Sequence, residues 1–495
     1  MSETLFPTVA RRGTWRSPAR SAALFAVLAL ACAGAPAGRP AVPPAGGDPA
    51  LLVTGGTVVT MDAAGTVLRD GAVAVVGGRI AAVGPAAELA GRYPTAERLD
   101  ARGRVVLPGL INAHTHAPMV LFRGLADDLP LMQWLEEHIF PAEARHVDEE
   151  FVRWGTRLAC LEMLRGGTTT FADMYYFEDV IAEEAERCGI RAVLGETLID
   201  FPAPDHATWD EAVAYTRRFA QRWRGHPRVT PAVAPHAAYT VSEEHLAAAH
   251  RLAEELDVPL LIHLAEDRAE IERVRERTGR SSIALLDGLG VLDDRMVAAH
   301  VVWPTADEVV LLARRGVGVA HCPQSNMKIA AGVAPVPAMI AAGVAVGVGT
   351  DGAGSNNDLD LWEEVDTAAK LHKLTAADPT VLPAREALAM ATREGARALH
   401  MDDRIGSLEP GKRADLIVVG AGGLHQVPQD PAANPYSFLV YATKAHDVET
   451  VIVEGRVVVR DGRVLTLDEG EVRRRAAELR AVIEGRPAPT AAAAP

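Results

Sequence analysis

The fold is decided by the stretch Val105-Val-Leu-Pro-Gly-Leu-Ile-Asn-Ala-His-Thr-His116, in which an apolar run ends in a His-x-His pair. Alternate residues of a strand point to the same face, so His114 and His116 at the end of a buried strand would direct two imidazoles to one point. Imidazole is the commonest protein ligand for zinc-like cations. The chain has 16 histidines in 495 residues, so pairs also arise by chance, and a metal site requires further ligands.

The middle of the chain alternates apolar runs with amphipathic helical segments, for example 147–165, 243–256 and 306–315. This pattern predicts a parallel α/β fold. We predict eight strands, at 105–112, 168–173, 191–197, 228–235, 259–264, 296–300, 317–321 and 343–349. Eight such units over about 290 residues indicate a (β/α)8, or TIM, barrel spanning 108–404.

Short strands separated by glycine turns flank this barrel on both sides. They lie within 51–107 and 405–467, and their alternating residues are typical of antiparallel sheets. We therefore expect one small β-sandwich domain built from both ends of the chain. A terminal helix and a disordered tail are expected over 468–495.

The first residues have the pattern of an export signal. Four arginines precede the apolar run 22–31, which is short for a membrane span. Ala29-Leu-Ala-Cys32 resembles a bacterial lipobox, with Cys32 as the lipid-anchored residue. We predict a signal or lipoprotein segment over 1–32 and an Ala/Gly/Pro tether over 33–50. The alternative is a start codon assigned too far upstream.

The composition of the whole chain is that of a globular enzyme, 48% hydrophobic and 23% charged. Its net charge of −15 argues against a nucleic-acid partner, because phosphates require a clustered basic surface. Beyond Cys32, only Cys160, Cys188 and Cys322 occur, and their spacing shows no disulfide framework. Localisation therefore stays open between a periplasmic or membrane-anchored lipoprotein and a cytoplasmic enzyme.

Polar side chains follow most of the predicted barrel strands, at the end where TIM-barrel active sites lie. They are His114 and His116, His236, His263 and Glu266, His300, His321, and Asp351. Any one of them could simply begin a polar loop, but their shared placement predicts a metal site. His114, His116, His263 and Asp351 form an N,N,N,O ligand set that suits zinc, with iron and manganese as alternatives.

The other strand-end groups suit hydrolytic catalysis. A cation would lower the pKa of a water, whose proton Asp351 could take, and His300 would hydrogen-bond that water or the developing oxyanion. Glu266 is placed to move a proton to a substrate nitrogen rather than to bind metal. No lysine ends strand four, where a carboxylated lysine would bridge two metals, so we predict one metal.

Four stretches carry a family resemblance: Asn112–Asp128, His321–Pro335, Gly349–Asn357 and Gly406–Leu416. They resemble the amidohydrolase superfamily and, within it, the 5'-methylthioadenosine/S-adenosylhomocysteine deaminases. The resemblance implies hydrolytic deamination of adenine nucleosides to the inosine analogue and ammonia. It also implies a mononuclear site, the roles given above to Glu266 and His300, and a homo-oligomer.

The same resemblance places nucleoside contacts at Trp134, Glu143 and His236, with Glu266 at the base. Glu143 would accept hydrogen bonds from the ribose hydroxyls. The alternative for Glu143 is a solvated charge at a helix end, and the alternative for His236 is a histidine that supports the metal ligands.

The chain departs from the family at one place. Members that accept S-adenosylhomocysteine use arginines after strand three for its carboxylate, whereas residues 196–206 contain no arginine and several acids. A buried carboxylate without a cation is costly, so we expect a preference for uncharged 5' groups, as in 5'-methylthioadenosine or adenosine.

Two rival functions have to be considered. One is hydrolysis of s-triazines or of free bases such as guanine within the same superfamily, and a free-base enzyme would not need Glu143. The other is a non-catalytic lipoprotein that binds metal or a solute, for which the proton-transfer group Glu266 would have no use.

Overall fold

The computed structural model describes residues 51–487 of the chain. The predicted signal segment with Cys32, the tether and the last eight residues of the tail lie outside this range. Within it, no helix is both long and apolar enough to cross a bilayer.

The strands form two sheets. They are β1 Leu51–Val59, β2 Val67–Val76, β3 Arg79–Pro85, β4 Glu97–Asp100, β5 Arg104–Pro108, β6 Leu110–Thr115, β7 Thr168–Tyr175, β8 Arg191–Leu198, β9 Val229–Pro235, β10 Leu260–Leu264, β11 Met296–His300, β12 Gly318–His321, β13 Ala345–Val348, β14 Leu416–Gly420, β15 Val448–Val453, β16 Arg456–Arg460 and β17 Arg463–Val464.

The helices fill the intervals between the strands. They are α1 Ala86–Arg92, α2 Leu131–Gln133, α3 Phe140–His146, α4 Glu149–Arg165, α5 Glu178–Cys188, α6 Trp209–Trp223, α7 Glu243–Leu256, α8 Arg268–Thr278, α9 Ser282–Gly288, α10 Ala306–Arg315, α11 Pro323–Lys328, α12 Val336–Ala342, α13 Leu361–Ala376, α14 Ala384–Met390, α15 Arg393–Ala398, α16 Pro435–Ser437 and α17 Glu469–Ile483. The π-helical turn Trp134–Ile139 connects α2 to α3, and a second one, Phe438–Ala442, follows α16.

Strands β6 to β13 lie side by side in chain order, and every neighbouring pair is parallel. The predicted TIM barrel is confirmed. Helices pack on its outside by their apolar stripes, as α7 illustrates: the Ser242 hydroxyl accepts a hydrogen bond from the His245 amide, and Leu246, Ala249 and Ala253 are buried.

The first predicted strand, 105–112, is in fact two strands. The chain leaves one sheet and enters the other at Pro108-Gly109. Proline lacks an N–H for a continuous ladder, and the chain at Gly109 passes so close to β7 that a Cβ there would lie 2.0 Å from Thr169 Oγ1. The apolar run alone did not reveal this crossing, because both halves are buried.

The first and last barrel strands are joined mainly at their carboxyl ends. The Asn112 side-chain amide donates to Thr350 Oγ1 (2.8 Å), and the Thr350 amide donates back to Asn112 Oδ1 (3.0 Å). The Asp351 amide donates to the His114 carbonyl (3.0 Å). These hydrogen bonds, which we call the clasp, bring the His-x-His pair of β6 beside Asp351, three residues after the end of β13.

The two ends of the chain meet in a second sheet, as expected. Its order is β17-β16-β15-β14-β5-β1-β2-β3, and β4 pairs with β1 beside this path, so the expected sandwich is one sheet of nine strands, eight of them in a continuous path. The junction is antiparallel pairing of β5 with β14, in which Leu107 faces Ile417. One buried cluster takes side chains from both ends, among them Val53, Val106 and Leu416.

Candidate metal centre and active site

The four predicted metal ligands converge at the carboxyl ends of the barrel strands. His114 Nε2 and His116 Nε2 lie 3.5 and 3.3 Å from Asp351 Oδ1. His263 Nε2 lies 3.2 Å from His116 Nε2. The rings of His114 and His263 stand edge to face with centroids 5.0 Å apart. Three nitrogens and one carboxylate oxygen from three separate strand ends thus surround one small volume.

The rings of His116 and His263 are oriented by hydrogen bonds of Nδ1, the nitrogen that faces away from the common volume. His116 Nδ1 lies 2.6 Å from the Met174 carbonyl, and His263 Nδ1 lies 2.9 Å from the His236 carbonyl. A backbone carbonyl only accepts, so each Nδ1 carries a proton and each Nε2 faces the common volume. Burial opposes the charge of His116, but Asp351 raises the pKa of this ring to about 8, so a cation would displace the proton on its Nε2.

Asp351 is held by hydroxyl and amide groups. Its Oδ2 accepts hydrogen bonds from Ser325 Oγ (2.7 Å) and Ser355 Oγ (2.9 Å), and its Oδ1 accepts one from the Gly352 amide (2.7 Å). The backbone of Asp351 is left-handed, with φ of +62°. Such a conformation is costly for a non-glycine residue and is common at functional sites.

The donors fit a zinc-like cation. His114 Nε2 is buried and has no hydrogen-bond partner, which is costly unless it has another ligand. Burial lowers the pKa of His114 to about 4 and that of His263 well below its usual value, so both rings are neutral and ready to bind metal. Burial opposes the charge of Asp351, but the adjacent imidazoles of His114 and His116 hold its pKa well below the usual range. An N,N,N,O set of this kind is typical of zinc.

Glu266 and His300 lie beside this ligand set. Their closest side-chain atoms, Glu266 Oε1 and His300 Nε2, are 3.7 Å apart. Burial, together with the nearby carboxylates Asp351 and Glu270, raises the pKa of Glu266 well above its usual value. This shift favours the protonated form of Glu266, the state that a proton donor requires.

His300 is held from behind by Asn326. The ring Nδ1 lies 3.0 Å from Asn326 Oδ1, while Nε2 is buried without a partner. With the amide in this orientation, Nδ1–H donates to Asn326 and the Nε2 lone pair faces the site. The residue has φ of +72°, so the strand ends in a strained turn that directs the ring inward.

A pocket opens over this centre. Trp134, Glu143 and His236 all line it, together with His116, His263, Glu266, His300 and Asp351, as well as Tyr175, Tyr176 and Tyr239. Glu143 is only 5% exposed, and burial raises its pKa to about 7. The alternative of a solvated helix-end charge is therefore wrong for Glu143.

His236 contacts both the pocket and the metal ligands. It lines the pocket, its carbonyl accepts from His263 Nδ1, and its ring centroid is 4.8 Å from that of His263. His321, by contrast, does not join the ligand set. Its Nε2 lies 3.3 Å from His372 Nε2, beneath the site.

Four residues that organise the site were not predicted from the sequence. They are Ser325, Asn326, Ser355 and Asp173, none of which the sequence motifs assigned a role. Asp173 Oδ1 accepts hydrogen bonds from the Ala117 amide (2.6 Å) and from the Thr115 hydroxyl, which fixes the backbone on both sides of His116. The available signal for Asp173 was its position near the end of a predicted strand.

Residues 105–458 match the amidohydrolase family, and residues 71–96 match an imidazolonepropionase-like composite domain of bacteria. The chain belongs to the amidohydrolase family. It is 51% identical over 425 residues to the 5-methylthioadenosine/S-adenosylhomocysteine deaminase of Syntrophobacter fumaroxidans, an alignment that covers 86% of this chain and 96% of the relative. The family resemblance predicted from the motifs is confirmed.

Two solved structures of amidohydrolases bear on the site. An adenosine deaminase from Xanthomonas campestris with bound zinc has 42% identity and a TM-score of 0.86, and the match covers 88% of this chain and 98% of that one. An atrazine chlorohydrolase from Arthrobacter aurescens TC1, complexed with zinc, has 27% identity and a TM-score of 0.81, with 87% and 100% covered. The amidohydrolase chain described here thus shares its fold with zinc-containing hydrolases of two substrate types.

Proposed function

We propose that this amidohydrolase removes the 6-amino group of adenine nucleosides by hydrolysis and prefers uncharged 5' groups, as in 5'-methylthioadenosine and adenosine. The observation that carries the proposal is a pair of buried carboxyl groups, Glu143 and Glu266, in the pocket of the ligand set. One such group can protonate the base, and the other can accept hydrogen bonds from the ribose hydroxyls. The names of the relatives agree with this assignment.

Each residue has a distinct task in the proposed reaction. A divalent cation held by His114, His116, His263 and Asp351 supplies Lewis acidity to a water. Glu266, whose raised pKa favours the protonated form, donates its proton to N1 of the adenine ring, which makes C6 more electrophilic.

Two further groups handle the protons of the attacking water. The lone pair on His300 Nε2 accepts a hydrogen bond from that water as it approaches C6. The carboxylate of Asp351, which its low pKa keeps ionised beforehand, takes one proton and passes it to the departing ammonia. The remaining hydroxyl proton leaves as the C6 carbonyl forms and returns to Glu266, which restores the proton donor. The hydroxyls of Ser325 and Ser355 hold Asp351 in place while the proton moves.

The pocket wall supports the preference for uncharged substrates. Trp134, Tyr176 and Tyr239 supply aromatic surface for an adenine ring or a thioether. Glu143 supplies an acceptor for two ribose hydroxyls once it is ionised. No arginine or lysine of residues 51–487 lines the pocket, so a substrate carboxylate would be buried there without a counter-charge.

A substrate panel tests the proposal. Ammonia release should be measured with 5'-methylthioadenosine, adenosine, S-adenosylhomocysteine, guanine and an amino-s-triazine, on full-length enzyme of measured metal content. We expect the first two substrates to have the highest kcat/KM and one metal to bind at the ligand set. Faster turnover of guanine or the triazine would overturn the nucleoside assignment. Equal or better turnover of S-adenosylhomocysteine would overturn only the preference for uncharged 5' groups.

A further inference from the structure

A second cluster of ligand-type side chains lies behind the barrel wall. It consists of Glu196 near the end of β8, Asp205 and His206 in the following loop, and Glu178 at the start of α5. Thr197 lines the active-site pocket, whereas the adjacent Glu196 does not and instead faces His206. This cluster is therefore separate from the catalytic centre.

The atoms of the cluster have the spacing of metal ligands. His206 Nδ1 lies 2.9 Å from Asp205 Oδ1 and 3.6 Å from Glu196 Oε1. Tetrahedral coordination with bonds near 2.0–2.1 Å places ligand atoms about 3.3 Å apart. The distances in the cluster lie on either side of this value.

Backbone groups aim the two carboxylates. The Phe177 amide donates to Asp205 Oδ2 (2.8 Å), and the Glu178 amide donates to Glu196 Oε2 (3.1 Å). The opposite oxygens, Asp205 Oδ1 and Glu196 Oε1, are thereby directed toward His206. Both are buried, and within residues 51–487 neither has a well-aligned hydrogen-bond partner, nor do His206 Nδ1, which is only 2.9 Å from Asp205 Oδ1, and Glu178 Oε2.

His206 is the basic side chain of the cluster, and it faces three buried carboxyl groups. Glu178 and Glu196 are fully buried, and Asp205 and His206 have side chains only 2% and 9% exposed. Within residues 51–487, no arginine or lysine forms an ion pair with any of the three carboxylates. Buried carboxylates in this situation must hold protons or bind a cation.

We propose that Glu196 Oε1, Asp205 Oδ1 and His206 Nδ1 form a second divalent-cation site, selective for zinc or manganese, with Glu178 completing the charge balance. One nitrogen and two or three carboxylate oxygens suit these cations. The bound cation ties the loop 199–208 to the ends of β7 and β8. Those strand ends carry Tyr176 and Thr197, so the site stabilises one wall of the substrate pocket.

Metal stoichiometry tests the proposal. Full-length protein equilibrated with Zn²⁺ or Mn²⁺ and desalted should contain two equivalents per chain by elemental analysis. His206→Asn should lose one equivalent and keep the catalytic one together with deaminase activity. A matched control is His245→Asn, because His245 pairs with Asp200 at 2.7 Å and has no second carboxylate within ion-pair distance. The control should keep both equivalents.

A second variant makes the result independent of the catalytic site. In His116→Asn/His263→Asn, the remaining cluster should still bind one Mn²⁺ with a raised Tm, and adding Glu196→Gln should abolish both effects. A single equivalent in the wild type, or no binding in His116→Asn/His263→Asn, overturns the proposal. Either result would show that the cluster is neutralised by protons alone.

Discussion

The floor and the wall of the active-site pocket are built in different ways. The floor, comprising His114, His116, His263 and Asp351, is supplied by strand ends, and most of these side chains have another polar atom tied to the protein. The wall that carries Trp134 and Glu143 lies on one helical excursion, residues 131–146, which includes the π-helical turn Trp134–Ile139. Such turns are frequent at functional sites. In the proposed function, the strand ends therefore position the groups of the chemical step, and residues 131–146 contribute the contacts that distinguish substrates.

The largest expected effect tests the floor. Glu266→Gln removes the proton donor and keeps the shape, so kcat for 5'-methylthioadenosine should fall by about 10²- to 10⁴-fold. Metal content should be unchanged, because Glu266 is not among the proposed ligands. The exposed Glu272 on α8 provides the control, and Glu272→Gln should retain full activity. Unchanged kcat in Glu266→Gln would refute the proton-donor role.

A smaller effect on turnover is expected from a residue that orients His300 without lining the pocket itself. Asn326→Leu removes the acceptor that orients His300, and loss of such supporting contacts costs about 10- to 100-fold. The loss should appear in kcat rather than KM, measured at saturating 5'-methylthioadenosine. Asn326→Asp keeps an oxygen for the Nδ1 proton and should restore part of the activity. If both variants behave alike, Asn326 does not act through the ring of His300.

A change in the wall should affect selectivity rather than chemistry. Glu143→Gln weakens charge-assisted hydrogen bonds to the ribose, so kcat/KM for adenosine should fall by about 10- to 100-fold. Free adenine lacks the ribose, and its low turnover should hardly change. The ratio of the two substrates in one variant is thus an internal control. An equal loss of kcat/KM for adenosine and adenine would mean that Glu143 acts in the chemical step and not through the ribose.

The smallest expected effect is a pH dependence of the wall. Burial raises the pKa of Glu143 to about 7, so the carboxyl group is mostly protonated below that pH and ionised above it. Only the ionised form accepts two ribose hydrogen bonds. The ratio of kcat/KM for adenosine to that for adenine should therefore fall as pH decreases from 8 to 6, by less than about 10-fold per unit. In Glu143→Gln the ratio should be flat over this range.

The floor was predictable from the sequence because strand ends of a TIM barrel converge. Once His114, His263 and Asp351 were each assigned to the end of an apolar run, topology alone brought them together. The helices α7 and α10 have the predicted bounds because capping residues and apolar stripes are local signals.

The supporting contacts were not predictable in this way. Ser325 and Asn326 act through hydrogen bonds to residues on other strands, and no local pattern records such partners. The cluster of Glu196 and His206 depends on how a loop folds back over a strand end. The crossing at Gly109 depends on contact with Thr169, about which the apolar run carries no information.

The clasp between Asn112 and Thr350 has a consequence for synthesis on the ribosome. The two residues are 238 positions apart, which at 5–20 residues per second separates their emergence by about 12 to 48 s. During that interval the nascent chain exposes an unclosed barrel edge and the pair His114 and His116 without Asp351. Binding of a cation by all four proposed ligands would therefore come late, and a chain that stalls before Thr350 would present an open sheet edge to chaperones and proteases.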